Sequence, residues 1–286
     1  MSGQDPTVQR RRLGRELGGI RRAGGHRQAD VAGAMDWSPS KLVRIENGQV
    51  TVSTNDLRAL LAFYGEPEER LAELMTLARA ARGASFFDHY DDVLKPGFKA
   101  YLAYESSAVV IRQYEPVLVP GLFQTEEYAR RILSGAAGFG ERDVERAWTV
   151  RQHRQELHDR ESPPQMCFVI DEVAIRRQVG SAGVMAAQVR RLLEFAAMPH
   201  VSLRVLPLAA DAHPGLLGSF ALLEFRDEAI GDLLHLESAL EITVRDDIGL
   251  IAGHLDKFAI VERLALSADD TRAVLATVAD EWAAAR

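Results

Sequence analysis

Gln28-Ala-Asp-Val-Ala-Gly-Ala-Met-Asp-Trp-Ser-Pro-Ser-Lys-Leu-Val-Arg-Ile-Glu-Asn-Gly48 is the stretch whose reading decides the fold of the N-terminal part of the chain. Ser38 before Pro39 marks a helix start. Serine is a favourable N-cap, and proline at the first helical position sacrifices no hydrogen bond. Leu42 and Ile45 give that helix one apolar side, and it runs to Glu46. Asn47-Gly48 ends it with residues that tolerate the left-handed conformation. Upstream, Val31, Ala32 and Met35 supply the inner face of a shorter helix over about Gln28 to Met35. Only Asp36-Trp37 remains between the two as a turn. Two short helices joined so tightly, with Val31, Ala32, Met35, Leu42 and Ile45 between them, read as a helix-turn-helix.

Working outward, Leu13, Leu17, Ile20 and Ala23 recur at spacings of four and three, which predicts a helix from Arg10 that stops at Gly24-Gly25. Ser53 to Asp56 forms a capping box that starts a fourth helix through Phe63. Pro67 opens a fifth, with Leu71, Leu74, Met75 and Ala78 inward, ending near Arg82-Gly83. The expectation is a compact, all-α five-helix domain over residues 10–82. Residues 1–9, polar and without a period, are expected to be disordered. Residues 83–97 read as a connector whose aromatics Phe86, Phe87 and Tyr90 pack on something. Residues 98–286 mix element types. Helices are expected at about 97–112, 125–134, 141–159, 181–198, 248–265 and 268–284. Strand-like runs occur at Met166–Ile170, Val201–Leu206, Phe220–Phe225 and Leu233–Leu236. The whole chain therefore reads as multidomain, with a mixed α+β C-terminal domain.

In a helix-turn-helix the second helix enters the major groove of DNA and reads bases with its outward N-terminal residues. Here Ser38, Pro39, Ser40, Lys41, Val43 and Arg44 are left outside. Arg44 is the strongest base-reading candidate, because a guanidinium can bond guanine O6 and N7 together. Ser40 suits a base edge or a phosphate. Gln28 sits where helix amides and a side-chain amide can grip a phosphate. Lys41, Arg27 and the cluster Arg10-Arg11-Arg12 are the further phosphate candidates. A helical hairpin with a merely solvated charged face is the competing reading.

Charge distribution favours the nucleic-acid reading. The net charge is −7, but residues 1–60 carry 10 Lys+Arg against 6 Asp+Glu, and the remainder carries 24 against 35. A basic module precedes an acidic body. The first residues lack an apolar signal region, and no run of 18 apolar residues suggests a membrane helix. One cysteine, Cys167, excludes an intrachain disulfide and a cysteine-rich zinc site. A cytoplasmic, nucleoid-associated protein without a cofactor is expected. No nucleophile elbow, phosphate loop or metal-ligand spacing is present, so catalysis is not expected.

The segment Gln28 to Ala32, followed by Ser38-Pro-Ser-Lys through Ile45-Glu-Asn-Gly, resembles the Xre/lambda-repressor-like helix-turn-helix family over about residues 10–65. Two positions depart from it. Arg27 stands where a capping Thr or Ser is usual, and Asp36 replaces the common turn glycine. Tyr114-Glu-Pro-Val-Leu-Val-Pro-Gly-Leu-Phe-Gln-Thr-Glu-Glu-Tyr-Ala-Arg130, Asp171-Glu-Val-Ala-Ile-Arg-Arg and His213-Pro-Gly-Leu-Leu-Gly-Ser-Phe-Ala-Leu-Leu-Glu-Phe225 resemble signatures of a group of actinomycete regulators, WhiJ-like and antitoxin-like. That resemblance implies a developmental or antitoxin-like regulator, whose C-terminal part binds a small protein encoded by an adjacent gene. The helix-turn-helix itself implies a homodimer on a palindromic operator, with half-sites about one helical turn apart. Tyr114, Gln124 and Tyr128 could be structural or could line a pocket or partner surface, so ligand sensing by the C-terminal domain stays open. His213 lies in a loop, and Cys167 reads as inert core.

Overall fold

The computed structural model describes residues 4–135, 138–237 and 242–285. The chain divides into two compact units. The first runs through His89 and includes Asp227–Gly231. The second holds Tyr90–Arg226 and Asp232 onward.

The first unit contains helices α1 (Pro6–Ala23), α2 (Gln28–Ala34), α3 (Pro39–Glu46), α4 (Thr54–Tyr64) and α5 (Glu68–Ala80). Helix α1 starts before Arg10, which corrects the expectation of disorder for the described residues ahead of it. Asp5 caps it by accepting from the Thr7 amide at 2.8 Å, Pro6 sits in its first turn, and Val8 is buried. A single apolar residue set no visible period there. The first four helices all end the same way. A left-handed residue lets the amide beyond it bond a carbonyl five residues back. Gly25, Asp36, Gly48 and Gly65 take that conformation. The bonds are His26 N to Arg21 O, Trp37 N to Ala32 O, Gln49 N to Arg44 O and Glu66 N to Leu61 O, at 2.8–3.1 Å. Asp36, at φ 53°, is the one non-glycine among the described residues with positive φ. Its short polar side chain tolerates that region better than most. The core joins Leu13 and Leu17 of α1 to Val31, Leu42, Ile45, Leu57, Leu60, Leu61 and Leu74, with Met35 and Trp37 packed at its edge.

The second unit is built on a six-stranded mixed sheet, order β3-β2-β1-β4-β5-β6. The strands are β1 (Val110–Glu115), β2 (Gln165–Asp171), β3 (Val201–Leu206), β4 (Phe220–Glu224), β5 (Leu233–Glu237) and β6 (Ile242–Arg245). β1, β2 and β3 pair in parallel, and β1, β4, β5 and β6 pair antiparallel. Its helices are α6 (Pro96–Glu105), α7 (Glu126–Gly135), α8 (Glu141–Gln155), α9 (Glu172–Arg176), α10 (Ala182–Ala196), α11 (Ile248–Leu264) and α12 (Ala268–Ala284). One face of the sheet, carrying Tyr114, Val169, Phe220, Leu222 and Leu234, meets Ile251, Phe258 and Val261 of α11. Alternation sends the neighbours of these residues to the other face. There Phe168 of β2 packs edge-on to Phe123 at 4.6 Å, and Phe123 meets Phe195 of α10 at 4.8 Å.

Several elements differ from the sequence reading, which did not foresee α9. The helix expected over 97–112 stops at Glu105, and its last expected residues form the start of β1. β6 was not foreseen. β1 carries Arg112, Gln113 and Glu115, which disguise a central strand as a polar, helix-compatible run.

Candidate nucleic-acid interface

Helix α3 is fixed from its C-terminal end. Glu46, its last residue, is buried and takes two bonds from Arg21 of α1: Nε to Oε1 at 2.6 Å and Nη2 to Oε2 at 3.0 Å. Arg21 Nη1 also donates to the His26 carbonyl at 2.8 Å. The fork-to-fork geometry raises the Arg21 pKa, chiefly through its hydrogen bond to Glu46. Gly14 permits this closeness, because a Cβ there would lie 2.5 Å from the Ile45 and Glu46 carbonyl oxygens. Gly48 is equally confined, with Arg11 Cα 2.6 Å from the place a Cβ would take.

The sequence-nominated residues fall into three groups. Ser38, Pro39, Ser40, Arg44 and Arg27 are exposed on the outer side of the two-helix unit. Arg44 has no ion-pair or hydrogen-bond partner among the described residues, so its guanidinium is available to a ligand. Arg27 is likewise without one. It occupies the N-cap position of α2 and makes no side-chain cap bond. Ser38 holds the N-cap position of α3, also without the expected cap bond, and its hydroxyl lies 3.2 Å from that of Ser40.

Gln28 and Lys41 form the second group, half-buried and already engaged. Gln28 Nε2 donates to Glu46 Oε2 at 2.7 Å, so the residue belongs to the clamp that sets α2 against α3. Its carbonyl oxygen is no donor to a phosphate. Lys41 Nζ pairs with Asp56 Oδ2 at 2.9 Å and lies 4.1 Å from the centre of the Trp37 ring. The pair is partly exposed, so a phosphate can compete with Asp56 for the ammonium.

Arg10, Arg11 and Arg12 form the third group. Arg11 is 7% exposed and donates from Nε to the Ile230 carbonyl at 2.8 Å. That placement corrects its reading as a surface cation: it is an internal tie of the first unit. Arg10 bonds the Ala81 carbonyl and the Thr7 hydroxyl, and Arg12 pairs with Asp227 at 2.9 Å. The triplet looked like a solvated run because Ala81, Asp227 and Ile230 lie far away in sequence. Conversely, Asn55 and Arg58, one turn apart on the exposed side of α4, were passed over. Their i, i+3 spacing opposite Leu57, Leu60 and Leu61 was the available signal.

Residues 98–277 match the family model described as "Domain of unknown function (DUF5753)". The chain belongs to the DUF5753 family. Residues 12–74 match a model described as "Helix-turn-helix domain". No curated protein and no solved structure matches the chain.

Within the DUF5753 unit, the Tyr114–Arg130 segment lies against a second buried ion pair. Arg154 of α8 bonds Glu105 of α6 twice, at 2.8 and 2.9 Å, and Tyr101 OH donates to the same carboxylate at 2.6 Å. Gly121 leaves room for that guanidinium, since a Cβ there would lie 2.7 Å from Arg154 Nη1. Tyr128 OH accepts from the Val119 amide at 3.2 Å, and Gln124 Nε2 donates to the Val119 carbonyl at 2.6 Å. Tyr114 is fully buried in the α11-facing core. Gly215, in the His213–Phe225 segment, lets its turn lie against that ring, where a Cβ would come within 2.5 Å. Cys167 is partly buried, and that burial raises its thiol pKa. Among the described residues no group of three or more His, Cys, Asp and Glu is placed to hold a metal, and no helix is long and apolar enough to cross a membrane.

Proposed function

We propose that this DUF5753 protein is a non-enzymatic, sequence-specific transcription regulator that binds double-stranded DNA through α3. The observation that carries the reading is Arg44: exposed, unpaired, and mounted on a helix that Arg21, Glu46 and Gly14 hold immobile. A base-reading guanidinium needs both freedom from internal partners and a rigid mount. Ser40 lies near it for a base edge or phosphate, while Arg27, Lys41, Asn55 and Arg58 serve the backbone. The regulator acts as a homodimer on a palindromic operator, in the cytoplasm and at the nucleoid, and its relationship is to the Xre-type, WhiJ-like regulators. Selection from random DNA tests this. The wild-type chain should enrich a two-fold-related motif. A pool no more enriched than that from a chain carrying R44A and S40A would sink the proposal.

A second reading adds a protein partner to the DUF5753 unit. Leu217 is 85% exposed and Ile248 is 84% exposed, and the turn holding Leu217 packs against α11, which Ile248 begins. Exposed large apolar side chains on neighbouring elements suit a protein contact. The small protein encoded next door is the candidate partner. Co-expression followed by size-exclusion chromatography should give a joint peak that L217D abolishes. Separate elution of the two wild-type proteins would remove this reading.

A further inference from the structure

The face of the sheet opposite α11 borders a cavity of about 560 Å³ inside the DUF5753 unit. That size is typical of small-molecule sites. Its walls are mainly apolar, with Phe98, Leu118 and Phe139 among them, and its charged groups are Glu115 of β1, Glu237 of β5, Arg151 and Arg154 of α8 and Lys95 ahead of α6.

Those polar groups are unusual in being incomplete. Gln113 is 8% exposed; its Nε2 donates to Glu115 Oε1 at 2.7 Å, and its Oε1 has no partner among the described residues. An orphaned buried carbonyl is destabilising unless something donates to it. His235, 5% exposed, stacks on Tyr101 at 3.9 Å, and its Nδ1 is also without a partner. Arg151 donates to the Gln124 side-chain carbonyl but pairs with no carboxylate among the described residues. Glu115 pairs with no cation. The physical chemistry agrees with the geometry. Desolvation lowers the Arg151 pKa to about 10, helped by the like charge of Arg154, and raises that of Glu115 to about 7. By contrast, the adjacent Arg154 has Glu105 to itself.

We propose that this cavity binds a small zwitterionic molecule with an apolar body. Its acidic group is held by Arg151, and its amino group by Glu115 and the free Gln113 carbonyl. The apolar walls take the rest. Such a ligand supplies an anion for the guanidinium, a cation for the carboxylate and a donor for the amide. Amino-acid-derived and short-peptide metabolites belong to this class. The proposal concerns the DUF5753 unit alone and stands or falls without DNA.

Titration calorimetry on the full chain tests it, with leucyl-phenylalanine as probe beside its N-acetylated form and its C-terminal amide. The free dipeptide should bind. Each blocked form should bind about tenfold or more weakly, the loss expected for one charge-assisted hydrogen bond. R151M should erase the difference between acid and amide while remaining folded by circular dichroism. Q113L should narrow, with Glu115 still in place, the difference between free and acetylated amine, and it provides an independent readout if R151M does not fold. Binding by none of the three probes would mean that water fills the cavity, and would overturn the proposal. Binding that ignores either blocking group would overturn the zwitterion assignment.

Discussion

The helix-turn-helix unit and the DUF5753 unit each bury an arginine against a glutamate, and they surround the pair differently. In the first, Arg21, Glu46 and Gln28 close on one another. In the second, Arg154, Glu105 and Tyr101 close in the same manner, but Arg151, Glu115 and Gln113 nearby do not. A closed set of buried charges holds elements in place. An open set is left for solvent or a ligand to complete. The contrast separates scaffold from site without reference to sequence conservation.

The sharpest way to break the comparison is to open the closed pairs. E46A leaves Arg21 buried without its anion and removes the partner of Gln28, so urea unfolding should show the first unit destabilised by about 3–5 kcal/mol. E105A should cost the second unit a similar amount. A loss below about 1 kcal/mol for either would mean that the pair is not scaffold. Next in size is the exposed arginine. R44A should leave the urea midpoint unchanged yet cost about 1–3 kcal/mol of discrimination at its base, measured by competition between the selected operator and single-base variants.

The open set has its own signature in pH. The Glu115 pKa is raised from 4.5 to about 7 by burial, with Gln113 and Arg154 opposing and Glu237 assisting. A raised carboxyl pKa contributes stability fully below pH 4.5, and loses it as pH climbs through 7. E115Q should therefore match the wild type near pH 4 and exceed it by about 1–2 kcal/mol at pH 8, a figure reduced for partial solvent access. His235 runs the other way. Burial lowers it from 6.5 to about 4, so its contribution is present above 6.5 and lost as pH falls towards 4, in both proteins alike. Equal stability of the two proteins at pH 8 would place Glu115 among satisfied groups. The smallest effect concerns Arg27. R27T supplies the missing cap of α2, so it should stabilise the first unit by about 1 kcal/mol. It should also weaken binding to all DNA sequences evenly and flatten the salt dependence by about one charge.

The helix-turn-helix was legible because its information is local. Leu42 and Ile45 give the period, Pro39 the start, and Gly25 and Gly48 the stops, each within a few residues of what it controls. Arg11 and Gln28 were read as surface groups because their partners, Ile230 and Glu46, sit 219 and 18 residues away, where no spacing rule reaches. β1 was misread for a related reason. Its Gln113 and Glu115 face a cavity instead of a hydrophobic layer, so the apolar alternation of a buried strand is missing at those positions. The strand that violated the pattern is the one bearing the proposed site, as expected where binding, not packing, selects the side chains.

The clamp at the end of α3 bears on how such a regulator can be controlled. A helix pinned by its last residue to the one that begins the unit, with no room for even a methyl group at Gly14, cannot swivel in its socket. Tilting α3 would part Arg21 from Glu46. On the proposed function, a signal that spares this clamp acts on the unit as a single object.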